Sequence, residues 1–180
     1  MRSRCARWLP LAGMIFLVLL SPVYAAKPVT ITSARGGMAL QPVVVSPAAS
    51  PRVKQAAQSL ADYLGKMSGA PFTVIAGDGT AGLAVGRPED FPALKLTTLF
   101  NPADLNGRED YLLRSHGKGI YLLGATEMAV EYAVWDLLYR LGYRQYFPGP
   151  TWEIMPKEPS LALAVDAREH PDFVARRIWF

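Results

Sequence analysis

The chain has 180 residues, of which 51% are hydrophobic and 19% are charged, and its formal net charge is +4. The length suits one domain, and so apolar and weakly charged a composition excludes an intrinsically disordered chain. Three of the positive charges, Arg2, Arg4 and Arg7, lie in a segment that we expect to be removed, which leaves sixteen basic residues against fifteen acidic ones. This near-neutral balance argues against a nucleic-acid partner.

The first 25 residues have the pattern of a secretory signal peptide. A basic start is followed by twelve apolar or small residues, from Leu9 to Leu20, and by a small-residue exit that ends at Ala25. Twelve helical residues span about 18 Å, too short for a hydrocarbon core of about 30 Å, so a membrane anchor is the less favoured alternative. We expect cleavage after Ala25 and export to a bacterial periplasm or to the exterior, with no membrane contact afterwards. Cys5, the only cysteine, leaves with this segment.

The first half of the mature chain predicts short strands around one long helix. Ser50 is suited to cap this helix, Pro51 suits its first position, and Gly69 is suited to end it. Between them, apolar residues recur at steps of three and four from Val53 to Met67, which indicates one buried helical face. Strands are predicted at residues 28–32, 43–45, 72–76 and 83–85.

The second half predicts a β-hairpin followed by another helix. Residues 87–109 read as a loop that could include one helical turn, since three prolines interrupt them. Residues 111–114 and 120–123 flank a five-residue connection, 115–119, whose glycines we expect to supply positive φ angles. Thr126 is suited to cap the second helix, Gly142 to end it, and residues 161–165 predict a last strand.

This order of elements predicts an α+β fold over residues 26–167. It would be a two-layer sandwich, with one mixed β-sheet and two helices packed on one face. Residues 168–180 would then begin a following domain that is truncated here.

The chemistry-bearing residues give no catalytic or metal site. The mature chain has two histidines, His116 and His170, and no HExxH pattern, so we interpret both as solvated loop residues and expect no metal. Residues 77–82 match GxGxxG in letters, but a strand and not a helix is predicted after them, so no dinucleotide cofactor is expected. Ser68 is interpreted as part of a helix stop.

The carboxylates do not indicate glycoside hydrolysis within this chain. Glu127 and Glu131 share a helix face, and such a pair is typical of a solvent-exposed surface. Hydrolysis of a glycoside needs two carboxyl groups that face each other across a sugar, and no pair is singled out. We therefore assign no catalytic residue.

Aromatic residues concentrate near the C-terminal end. Such residues could stack on sugars, or they could pack against a second domain, and the second reading is favoured. These residues are Tyr143, Tyr146, Phe147, Trp152, Phe173, Trp179 and Phe180.

Several sequence segments, taken in order, are similar to the segments of one known type of domain. They are the helix of residues 53–64, KMSGA at 66–70, LAVG at 83–86, YAVWDLL at 132–138, LGYR at 141–144 and FPG at 147–149. Residues 28–165 thus resemble the non-catalytic N-terminal domain of family-20 β-N-acetylhexosaminidases and of α-glucuronidases, and the first domain of related bacterial secreted proteins.

The resemblance implies an accessory domain that packs against its own downstream catalytic (β/α)8 barrel. In the hexosaminidases the barrel opens with a short motif: a proline, an aromatic residue two places later and an arginine five places after the proline. The arginine binds hydroxyl groups of the sugar. Pro171, Phe173 and Arg176 fit this spacing, with Arg177 where the family has glycine, so Arg176 is the implied substrate-binding residue. The expected function is therefore an accessory domain of an exported glycoside hydrolase, not catalytic by itself. The alternative is a stand-alone secreted module that binds carbohydrate, such as an oligosaccharide, or another surface.

Overall fold

The computed structural model describes residues 27–101 and 103–170. In these ranges it has two helices, α1 (Pro51–Ser68) and α2 (Glu127–Arg140), and eleven strands. The strands are β1 (Ile31–Arg35), β2 (Met38–Ala39), β3 (Val43–Val45), β4 (Val74–Ala76), β5 (Gly82–Gly86), β6 (Tyr111–His116), β7 (Gly119–Gly124), β8 (Arg144–Gln145), β9 (Glu153–Ile154), β10 (Leu161–Leu163) and β11 (Asp166–Glu169). The predicted signal peptide and Arg176 lie outside the described residues.

A six-stranded mixed sheet organises the domain, in the order β11-β6-β7-β5-β3-β4. The four strands β7, β5, β3 and β4 run parallel, whereas β6 and β11 are antiparallel to their neighbours. Alternate side chains of the sheet form one buried cluster with the inner faces of α1 and α2. The predicted α+β fold, with both helices on one face of a mixed sheet, is therefore confirmed.

The sequence signals for α1 act as predicted. The Ser50 hydroxyl accepts a hydrogen bond from the Val53 N–H group at 3.3 Å, and Pro51 occupies the first turn. At the other end Gly69 adopts a left-handed conformation, with φ 76°, and donates its N–H to the Gly65 carbonyl. The apolar stripe between these caps is buried against the sheet.

The β6–β7 hairpin corrects one expectation. Its strands extend to His116 and from Gly119, so the turn comprises Gly117 and Lys118 alone, and neither glycine has a positive φ. Gly119 is instead required by a close approach of two backbones, because a Cβ atom there would lie 1.9 Å from the Gly82 carbonyl oxygen. The glycine is thus explained by the spacing of β5 and β7 and not by turn geometry.

The other face of the sheet is covered by the segment between β5 and β6. Phe91 is fully buried there and Phe100 nearly so, and both pack on Leu112 and Leu123. The segment is largely irregular, as predicted, but it contains three short 3₁₀ turns where one helical turn was considered. The turns are Pro88–Asp90, Pro92–Leu94 and Asn106–Glu109.

Two features near the end of the described chain were not predicted. Strand β11 pairs antiparallel with β6 and carries the sheet to Glu169, two residues past the expected domain end at residue 167. The expected strand at 161–165 exists as β10, but it belongs to a small sheet with β1 and β2. Neither α1 nor α2 has the length and apolar character that a bilayer-spanning helix needs, and these are the α-helices of the described ranges.

Candidate functional site

The outward face of α2 is aromatic. Tyr132, Trp135 and Tyr139 follow one another at steps of three and four, so they share one side of the helix, and they are 36%, 38% and 55% exposed. The outward face of α1, in contrast, is polar or charged. Sequence reasoning identified the buried face of α2 and missed this second stripe, although its spacing is visible in the sequence.

A cluster of three rings joins the two helices at this end of the domain. The ring of Tyr63, from α1, lies 5.1 Å from those of Trp135 and Tyr143, and it is close to perpendicular to both. The Tyr143 hydroxyl donates to Glu153 Oε1 at 3.0 Å. Burial, together with hydrogen bonds to Tyr63 and Glu153, raises the pKa of the Tyr143 phenol above its ordinary value. These rings form an aromatic floor, in which the Tyr143 phenol keeps its proton at neutral pH.

The chain reverses after α2 and forms a groove over this floor. Gly142 has a φ of 102°, which lets the backbone turn, and β8 then pairs with β9 in a short hairpin. The groove has a volume of about 380 Å³ and lies between the last turns of α2 and the β8 strand. Its lining residues are Trp135, Tyr139, Tyr143, Arg144, Gln145 and Tyr146.

Arg144 is the charged residue of the groove. Its guanidinium carbon lies 3.5 Å from the centre of the Tyr139 ring, which is a cation–π contact. Its Nη1 atom donates to the carbonyl oxygens of Tyr139 and Tyr143, the second at 2.7 Å. These contacts hold the guanidinium in one orientation.

The β8–β9 hairpin also carries exposed apolar side chains, which we call the hairpin patch: Phe147, Trp152 and Ile154. They are 63%, 51% and 53% exposed, and the rings of Phe147 and Trp152 lie 5.3 Å apart. Of the aromatic residues noted in the sequence, these two and Tyr146 are exposed, whereas Tyr143 is buried. Phe173, Trp179 and Phe180 lie outside the described residues, as do Pro171 and Arg176.

The two histidines have different settings. His116 ends β6 and stacks on the Tyr121 ring, with centroids 4.0 Å apart, and burial together with the nearby Lys118 charge lowers its pKa. The interpretation of His116 as a solvated loop residue was therefore wrong. The His170 ring is more than half exposed and lies 2.6 Å from an Asp110 carboxylate oxygen. No group of three or more His, Cys, Asp or Glu in the described ranges could hold a metal ion.

The remaining sequence candidates have structural roles. Glu131 accepts two hydrogen bonds from Arg52 of α1, at 2.7 and 2.8 Å, so it links the helices. Ser68 donates to the Leu64 carbonyl and accepts from the Ala70 N–H group, which confirms that it belongs to the helix stop. The residues after the GxGxxG match form strand β5, as predicted, and not a helix.

The comparisons with known proteins identify a shared fold. No protein-family model matches the chain, and no curated protein matches it in sequence. Over 77% of its length the chain is similar to a solved structure of a family GH115 4-O-methyl-α-glucuronidase with specificity for decorated arabinogalactans. The TM-score is 0.51 and the sequence identity is 19%.

This likeness is one of architecture. The chain covers 18% of the glucuronidase, so it corresponds to a minor part of that protein. The finding agrees with the α-glucuronidase half of the resemblance noted in the sequence, and the hexosaminidase half stays a prediction.

Proposed function

We propose that this chain is an accessory domain of an exported glycoside hydrolase and that it is not catalytic by itself. The observation that carries the proposal is the fold that it shares with a small part of a family GH115 glucuronidase. An exported hydrolase of this kind would act on carbohydrate outside the cytoplasm, in keeping with the signal-peptide pattern of residues 1–25. The partner of the domain would be the catalytic barrel of the same polypeptide.

The hairpin patch supports a contact with a following domain. Contiguous exposed apolar side chains are typical of surfaces that another protein covers. Glu169, at the end of β11, pairs with Arg140 in the last turn of α2 at 3.1 Å, and β8 begins four residues after Arg140. The described chain therefore ends beside the helix that leads into the hairpin that carries the patch.

The electrostatics of the helix carboxylates support a non-catalytic role. A glycosidase acid needs a raised pKa so that it keeps a proton to donate. The hydrogen bonds and charge of Arg52 lower the pKa of Glu131, which is the opposite shift. Asp136 is likewise paired with an arginine, Arg140, at 3.0 Å.

The test uses the gene read in frame beyond residue 180. We expect the longer polypeptide to contain a (β/α)8 barrel and to release sugar from glucuronic-acid-decorated arabinogalactan, glucuronoxylan or chitooligosaccharides. The 180-residue chain alone should release none, because the pKa of Glu131 is lowered and Asp136 is paired with Arg140, so neither is suited to act as the acid. Sugar release by the 180-residue chain would refute its non-catalytic role, and a stop codon after residue 180 with no adjacent hydrolase gene would refute the accessory role.

A stand-alone carbohydrate-binding module is the second candidate, and the exposed rings of Phe147 and Trp152 favour it. If the hairpin patch binds sugar, a glycan array should show binding by the chain that Trp152→Ala abolishes. If the patch is covered by a hydrolase domain, Trp152→Ala should leave the array unchanged and lower the unfolding temperature of the longer polypeptide. Tyr132→Ala, on the exposed face of α2, is the matched control and should change neither measurement.

A further inference from the structure

The arginine in the groove differs from the other two partly buried arginines of the described chain. Arg87 and Arg114 each pair with a carboxylate, at 3.2 and 2.7 Å. Arg144 forms no ion pair within residues 27–101 and 103–170, although it is only partly exposed. Glu153 accepts a hydrogen bond from the Tyr143 hydroxyl and does not line the groove.

The contacts of Arg144 leave one edge of its guanidinium available. Nη1 is used by the two main-chain carbonyl oxygens, whereas Nε and Nη2 form no hydrogen bond in the described part of the chain. A guanidinium presents its N–H groups in a planar fork that matches the two oxygens of a carboxylate. Because the Tyr139 ring and the carbonyls already fix the group, little side-chain freedom would be lost on binding.

The rest of the groove matches the body of a sugar. Trp135 and Tyr146 expose aromatic surface on which the C–H face of a pyranose can stack, and Gln145 supplies an amide for hydroxyl groups. Ligand sites are typically concave and mostly apolar, with a few polar groups that fix orientation. A volume of about 380 Å³ accommodates one or two sugar rings.

We propose that this groove binds an acidic saccharide, with the carboxylate of a uronic acid residue on the free edge of Arg144 and the sugar rings against Trp135 and Tyr146. The proposal goes beyond the accessory role, because it concerns a ligand of this chain itself. Its test measures binding and not hydrolysis, so either proposal can fail alone.

The experiment titrates the purified chain with trigalacturonate and with the carboxyl-reduced, neutral form of the same trisaccharide. Calorimetry and the fluorescence of Trp135 and its neighbours report binding. We expect the acidic form to bind at least about tenfold more tightly, since a charge-assisted bidentate hydrogen bond is lost in the neutral form. Arg144→Gln should remove this preference, and Arg144→Lys should retain part of it because the positive charge remains.

Two control variants distinguish binding in the groove from a non-specific attraction between a positively charged surface and the acidic trisaccharide. Arg35→Gln removes an exposed arginine on β1 that forms no ion pair with any described residue, and it should leave both affinities unchanged. Tyr146→Ala should weaken both trisaccharides alike, because it removes stacking surface and not charge. Circular dichroism verifies that each variant is folded. If Arg144→Gln does not fold, the proposal is tested by the preference of the wild-type chain for the acidic trisaccharide and by its reduction in Arg144→Lys.

Three results with the trisaccharides would overturn the proposal. They are equal affinity for the acidic and neutral trisaccharides, no binding at millimolar concentration, and a preference that a folded Arg144→Gln variant retains. Triglutamate is the last probe. Binding of triglutamate as tight as that of trigalacturonate would also overturn the saccharide assignment, since the groove would then accept acidic peptide segments.

Discussion

Replacing Gly119 by alanine is expected to lower the free energy of unfolding by at least about 3 kcal/mol. The new Cβ atom would lie 1.9 Å from the Gly82 carbonyl oxygen and within 2.8 Å of two further backbone atoms of Gly82. Gly82 and Gly119 are paired at the start of the parallel ladder between β5 and β7, in the middle of the six-stranded sheet. A rotamer change cannot relieve a clash with backbone, so the two strands would have to separate.

The same hairpin supplies the control for this prediction. A Cβ atom at Gly117 would meet nothing within 4 Å, and its φ is outside the left-handed region. Gly117→Ala should therefore change stability by less than about 1 kcal/mol, and a small gain is expected because alanine restricts the unfolded chain. Urea unfolding followed by circular dichroism measures both variants, and equal losses at the two positions would contradict the close approach of β5 and β7.

Replacing Leu60 by alanine is expected to cost about 2–5 kcal/mol of unfolding free energy. Leu60 is fully buried on the inner face of α1, in the cluster that α1, α2 and the sheet share. The truncation removes apolar contacts and leaves a cavity that the two helices and the sheet can only partly close.

Gln55→Ala is the matched control for Leu60→Ala. Gln55 lies on the exposed side of the same helix, so its truncation should change the unfolding free energy by no more than about 0.5 kcal/mol. Chemical unfolding curves, fitted with the same dependence of unfolding free energy on denaturant concentration, give the difference in unfolding free energy between the two variants. A loss below about 1 kcal/mol for Leu60→Ala would mean that α1 is not packed on the sheet as described.

Sequence patterns predicted the helices and most of the main sheet because their signals are local. Ser50 and Thr126 each cap a helix through a side-chain oxygen, and the apolar steps between Val53 and Met67 mark one face. Strands β4 and β5 are short apolar runs, which the Gly77-Asp78-Gly79 turn and Gly86 delimit. Such features act within a few residues, so they can be read without knowledge of the fold.

The aromatic groove could not be predicted in the same way, because its parts meet only after folding. Tyr63 and Tyr143 are eighty residues apart in the chain, yet their rings lie 5.1 Å from each other. Strands β8 and β9 have two residues each, too short for an alternating pattern. The ion pair between Arg52 and Glu131 likewise joins two helices, so no spacing along one helix could have indicated it.

The two faces of the sheet are shielded by different kinds of structure. Helices α1 and α2 satisfy their own backbone hydrogen bonds, and they cover one face of the sheet with apolar side chains that recur at regular spacing. The segment between β5 and β6 has no such regularity, and it is held down largely by the rings of Phe91 and Phe100. On that side the demands on sequence are therefore spread over separate apolar anchors in residues 91–100, because Leu94, Leu96 and Leu99 pack against the same buried cluster as the two rings.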